Sequence, residues 1–167
     1  MNTDDLLTEL NILGVPFLTT NQQTEHLPMP PTALLAGLAV DSDARVQIAI
    51  IALLLVRPDY ASHAPQVAAM LPSTPRLLFM SYCAAATLLQ KKYALQLNGL
   101  LGQRIPLPDL FFDELDLPKI EDQDVQLREL SARQRTLSGE KLNWLGTYEQ
   151  AAQRLITRLE RERLWAM

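Results

Sequence analysis

The stretch Val46-Gln47-Ile48-Ala49-Ile50-Ile51-Ala52-Leu53-Leu54-Leu55-Val56 decides how the chain folds. Gln47 is its only polar residue, so no face is kept for water. A segment apolar all round belongs in the middle of a protein. Its β-branched residues, Val46, Ile48, Ile50 and Ile51, would suit a buried strand. Its length argues otherwise, as do its alanines and the Asp41-Ser42-Asp43 cluster ahead of it, which offers a helix start. The stretch is read as a central helix, closed by Arg57 and Pro58.

Helical punctuation continues in both directions. Thr32 to Val40 precedes the central helix with Leu34, Leu35 and Leu38. Ala64 to Leu71 follows it and stops before Pro72. Ser73-Thr74-Pro75 pairs a hydroxyl N-cap with a proline near the first helical position. The helix it opens is expected to reach about Leu97, with Lys91 and Lys92 in its late turns. Near the N-terminus, Thr3 is the expected cap, Asp4 and Asp5 suit the first turn, and Leu6, Leu7, Leu10 and Leu13 recur at helical spacing up to Gly14. Val15 to Pro31, with Pro16, Pro28, Pro30 and Pro31, reads as a loop. No segment alternates apolar and polar residues as a half-buried strand would. The predicted fold class is all-α, an irregular helical bundle.

Within residues 32–71, the order is an apolar helix, the Asp41-Ser42-Asp43 break, a second helix opening at Arg45-Val46, and then Pro58. This order resembles a HEAT-like repeat. The resemblance implies stacked helix pairs in the first two thirds of the chain, although residues 72–118 do not reproduce the spacing.

The 167 residues, 48% apolar and 20% charged, suit one domain or a domain with a helical appendage. A net charge of −4 is the wrong sign for a global nucleic-acid footprint. One cysteine, Cys83, excludes a disulfide within the chain and a multi-cysteine metal site. Asp4 and Asp5 stand where a secretory signal would carry basic residues. The longest apolar runs, Ile48–Val56 and Leu77–Leu89, are shorter than the roughly 20 residues of a membrane span. The expectation is a soluble cytoplasmic protein with no membrane partner.

Charge is unevenly placed. Residues 1–118 hold 6 basic and 11 acidic side chains, and residues 119–167 hold 9 and 8. This step divides the expected organisation into a helical core domain, 1–118, and a charged C-terminal helical hairpin, 119–167. Between Gln103 and Lys119, Pro106, Pro108 and Pro118 frame one or two expected turns around Phe111 and Phe112. The hairpin is expected to comprise Ile120–Leu137, the Ser138-Gly139 break, and a last helix from near Thr147 to Leu164.

Residues that carry chemistry are sparse and scattered. His26 and His63 lie far apart and in no metal-binding spacing. Cys83 sits in an apolar helix and reads as a buried structural thiol. Asp41 and Asp43 read as helix caps rather than an acid–base pair, and Asp109, Asp113 and Glu114 as a solvated acidic rim. No glycine-rich phosphate cradle and no Gly-x-Ser-x-Gly elbow occurs. The sequence therefore assigns no catalytic, cofactor-binding or metal-binding residue, and the expected protein is not an enzyme and carries no cofactor.

Surface recognition remains. The last two helices carry narrow apolar stripes on a charged background, too little to fold alone. Leu130, Leu137 and Trp144 recur every seven residues, Tyr148, Leu155 and Leu159 lie with Ala152 on the apolar face of the last helix, and Trp165 is an aromatic near its end of the kind enriched at interfaces. These seven form the expected partner-binding set, for another protein or a second copy. Leu155→Asp with Leu159→Asp is then expected to abolish binding while residues 1–118 stay folded. By analogy of class, small acidic bacterial proteins of this build serve as antitoxins or as accessory subunits in complex assembly. One alternative is a nucleic-acid-associated subunit that uses Lys141, Arg154, Arg158 and Arg161. A second is a small-molecule binder or enzyme with a pocket roofed by the 15–31 loop.

Overall fold

A computed structural model describes residues 2–15 and 28–166. Among them every regular element is helical: α1 Thr3–Ile12, α2 Pro31–Val40, α3 Ala44–Gln47, α4 Ala49–Val56, α5 Ala64–Met70, α6 Ser73–Lys92, α7 Ala94–Leu101, α8 Gln123–Ser138 and α9 Trp144–Ala166, with a 3-10 helix at Pro58–His63. The protein is an all-α helical bundle.

The decisive stretch forms α3 and α4, with a one-residue break at Ile48. Seven of the eight residues of α4 are buried, as a segment with no polar face requires. Asp43 caps α3 as expected, whereas Asp41 stands at the end of α2 and ties the corner together. Asp43 accepts from the Arg45 backbone N–H (2.9 Å), and Asp41 accepts from the Asp43 N–H (2.8 Å) and the Thr3 hydroxyl (2.8 Å). The start of α1 is thereby held to the α2–α3 corner.

Helix α6 is the second axis of the core. Every residue from Ser81 to Gln90 is buried, with α4, α8 and α9 packed around it. Its first turn has no side-chain cap, contrary to the expected hydroxyl, because the cap position falls on Pro72. Arg76 instead donates to the carbonyls of Ala68 and Leu71, both at 2.8 Å, and so closes the end of α5. The helix stops at Lys92 rather than near Leu97, and α7 restarts after Tyr93. Small shifts of the same kind put the first cap at Asn2 rather than Thr3, and start α9 at Trp144 rather than near Thr147.

Residues 102–122 are irregular. They are pinned by Gln90, whose side-chain amide donates to the Ile105 carbonyl (2.9 Å) and accepts from the Leu107 N–H (2.7 Å), and by the Thr87 hydroxyl on the Pro108 carbonyl (2.8 Å). Turns at Leu110–Asp116 bury Leu110, Phe112 and Leu115, while Phe111 meets Phe79 edge-on. Asp109 and Asp113 do not share a helical face here; they reach Lys91 and Lys119.

A single apolar core runs from Leu6 through α4 and α6 into Leu127, Leu130, Trp144, Tyr148 and Ile156, on both sides of the charge step at residue 118. The twenty-residue α6 that follows the HEAT-like stretch is longer than the ten-residue α2 and eight-residue α4 within it.

Candidate functional site

Helices α8 and α9 dock through an aromatic knot. The ring of Tyr82 on α6 meets Trp144 and Tyr148 of α9 edge-on, with centroids 6.5 and 6.3 Å apart. The Tyr148 hydroxyl donates to the Gln134 side-chain carbonyl on α8, in a buried bond. Burial pushes the Tyr82 phenol up to about 12 and the Tyr148 phenol further still. At the other edge of the knot, the Lys92 ammonium donates to Asp124 of α8 and Glu149 of α9, both at 2.6 Å, and Glu149 also accepts from the Tyr93 hydroxyl. Burial alone would lower the Lys92 pKa, but these two bonds outweigh it and hold it above the ordinary lysine value.

This packing splits the seven-residue docking stripe. Leu130, Trp144, Tyr148 and Leu155 are core residues, and Leu159 is half-buried against them. As core residues they pack within the chain itself. The stripe is narrow, but α4 and α6 beneath it supply enough apolar surface to cover it. Leu137 is exposed near the end of α8, away from the others. Trp165 is 82% exposed.

What stays open is the far end of α9. From Glu160 to Ala166 every residue is exposed, so the last two turns project past the body they dock on. Their first neighbour is α7, where Leu95 is 90% exposed. An open groove of about 520 Å³ between the two helices is lined by Leu95, Gly99 and Leu100 on one side and Glu160, Arg163 and Leu164 on the other. Arg163 donates to the Gly99 carbonyl (2.9 Å) and fixes the two ends together. Leu164, 69% exposed, faces this groove. Trp165 is turned about 100° from it, on the outer side. Sequence reading reached Trp165 but missed Leu95, Leu100 and Leu164. Leu95 was hidden inside the expected long helix, and Leu164 falls off the core stripe of α9, which is itself the signal that marks it.

Trp165 belongs to the arginine stripe. Arg154, Arg158, Arg161 and Trp165 stand at i, i+4, i+7 and i+11, on one face of α9. Arg158 pairs with Glu162 at 3.5 Å; Arg154 and Arg161 form no ion pair among the described residues. Lys141 lies in the loop before α9, apart from this face.

The remaining candidates hold no assembled chemistry. Cys83 is fully buried, which raises its thiol pKa well above the ordinary value. His63 packs edge-on against Tyr60. His26, and residues 16–27 of the loop expected to roof a pocket, lie outside the described residues. Among the described residues no group of three or more His, Cys, Asp or Glu is placed to hold a metal, and no helix is long and apolar enough to cross a membrane. Comparison with family models, with curated proteins and with solved structures gave no match.

Proposed function

We propose that the chain is a non-enzymatic interaction protein, an accessory or regulatory subunit in an antitoxin-like or complex-assembly role, which docks a protein through the projecting end of α9 and the adjoining face of α7. One observation carries the reading. Leu95 and Leu164 stay in water on the two sides of one groove, with Trp165 beside them. Scattered exposed apolar residues are ordinary, whereas a cluster of large ones at a projecting helix end marks a contact surface. Tryptophan is among the residues that most often dominate binding energy. A photo-reactive amino acid at position 165 in the native cell is expected to trap a protein at defined stoichiometry. The same group at exposed Ile12, on α1, is expected to trap none. Equal labelling at both positions, or none at 165, would end the reading.

The arginine stripe supports a second reading, contact with nucleic acid, because Arg154 and Arg161 are unpaired among the described residues. Glu160 and Glu162 interleave with those arginines and weaken it. A shift in nucleic-acid mobility at low salt, lost in Arg154→Gln with Arg161→Gln, would favour it.

A further inference from the structure

We propose that the protein docked by the end of α9 is a second copy of this chain, joined antiparallel about a two-fold axis that passes between Arg161 and Glu162. The inference rests on the reading that this helix end binds a protein, names that protein, and places the contact on the outer face that carries Trp165.

The argument starts from the stretch Arg158-Leu159-Glu160-Arg161-Glu162-Arg163-Leu164-Trp165. Arg158, Arg161, Glu162 and Trp165 stand at i, i+3, i+4 and i+7, so they share one face, and all four are exposed. Pairing this face with itself in the reverse direction sets Arg158 against the second copy's Trp165, and Arg161 against the second copy's Glu162. The first contact is cation on aromatic ring, and the second joins opposite charges. In a two-fold interface each occurs twice. The four other residues, Leu159, Glu160, Arg163 and Leu164, lie off this face, towards the core and the α7 groove, and take no part in the pairing. The exposed face is thus complementary to its own reverse at each of its four positions.

Other arrangements lose this match. Parallel pairing sets Arg158 on Arg158 and Glu162 on Glu162. A uniformly acidic partner, or a phosphate backbone, meets Glu162 as a like charge. Among the described residues, only the 3.5 Å contact between the half-exposed Arg158 and Glu162 engages the face within one molecule, and such pairs are weak. The projecting turns, about 10 Å long, leave the outer side of the helix open to approach. Two helix ends of this size bury less than the roughly 1,200 Å² typical of stable complexes. The association is accordingly reversible and concentration-dependent.

The test is sedimentation of the full chain from micromolar to millimolar concentration. The native chain is expected to show a monomer–dimer equilibrium. Arg161→Glu alone and Glu162→Arg alone each set like charges across the axis and should weaken it roughly tenfold or more. Mixing the two variants restores both opposite-charge pairs and should recover dimer, as should the double exchange in one chain. Trp165→Ala should weaken it independently of charge. Circular dichroism checks that each variant is folded. A native chain that stays monomeric throughout overturns the inference, and so does a dimer that the mixture fails to recover. The two readings fail separately. If position 165 traps only a different protein, the second copy is excluded while the docking role stands; if it traps nothing, both fall.

Discussion

The two halves of α9 share one helix and have opposite fates. Trp144 to Leu159 lies on α4, α6 and α8 and buries Trp144, Tyr148, Ala152, Leu155 and Ile156. Glu160 to Ala166 carries its own large apolar residues and buries none of them. The halves also differ in charge, since 144–159 carries only Glu149, Arg154 and Arg158 whereas 160–166 runs Glu160, Arg161, Glu162 and Arg163, yet Leu164 and Trp165 stand at the charged end too. The difference comes from what lies beneath. The first half rests on helices that are apolar on nearly every side, and the second runs past their end. A narrow stripe is satisfied wherever a broad apolar surface is offered to it.

The most severe way to break the contrast is Leu155→Asp with Leu159→Asp. The burial of Leu155, with Leu159 packed beside it, leads to another expected effect than the stripe alone did. Two carboxylates would enter the joint of α9 with the core, and an unpaired buried charge costs several kcal/mol against a total stability of about 5–15 kcal/mol. The cooperative thermal transition of the whole chain is expected to be lost. If residues 1–118 kept a native melting transition, the C-terminal helices would be an appendage after all.

A milder probe sharpens where the docked half is held. Lys92→Met keeps the side-chain stem and removes the ammonium that joins α6 to Asp124 and Glu149. Because Lys92 and Glu149 are mostly covered, the loss should be about 1–2 kcal/mol in denaturant unfolding, more than an exposed pair gives. Glu149→Gln in the Lys92→Met background should then add little.

The same junction responds to alkali. The folded chain holds the pKa values of Lys92, Tyr82, Tyr93 and Tyr148 above their ordinary values. The unfolded chain therefore releases those protons first as pH rises. Their contribution is fully present below about pH 10 and declines above it. Melting temperature is expected to be insensitive to these groups at neutral pH and to fall above pH 10. Phenolate absorbance should show a tyrosine that ionises only near pH 12. Ordinary titration of all four tyrosines in the folded protein would mean that the aromatic knot is open to water.

The all-helical class was legible because it rests on strong signals, the unbroken run of Val46 to Val56 and the proline punctuation at Pro58, Pro72 and Pro75. The capping role of Asp43 was equally legible, since capping is local chemistry. The fate of the seven docking candidates was not. A heptad series at Leu130, Leu137 and Trp144 states that one face is apolar and is silent on whether the covering surface is in the same chain. Leu130 and Trp144 found α6, whereas Leu137, near the end of α8, found nothing. The break at Tyr93 was hidden for the same reason. No local residue forces it, and it coincides with a long-range bond to Glu149. Without that break Leu95 reads as one more residue in a long helix, and the groove cannot be foreseen.

The smallest expected effect is the most discriminating. Leu164→Asp with Trp165→Asp adds two charges to a helix end already in water. Folded and unfolded states expose these side chains almost equally, so stability should change by no more than about 0.5 kcal/mol. Iodide should quench Trp165 readily and Trp144 hardly at all, which gives the single variants Trp165→Phe and Trp144→Phe opposite quenching profiles. A loss well above 1 kcal/mol in the double aspartate variant would show that Leu164 and Trp165 are folded back onto their own body in solution. The contrast within α9 would then vanish, and the surface offered to a partner with it. Unchanged stability together with loss of association in sedimentation is what a residue set aside for contact produces, because such a residue contributes to a complex and not to the fold.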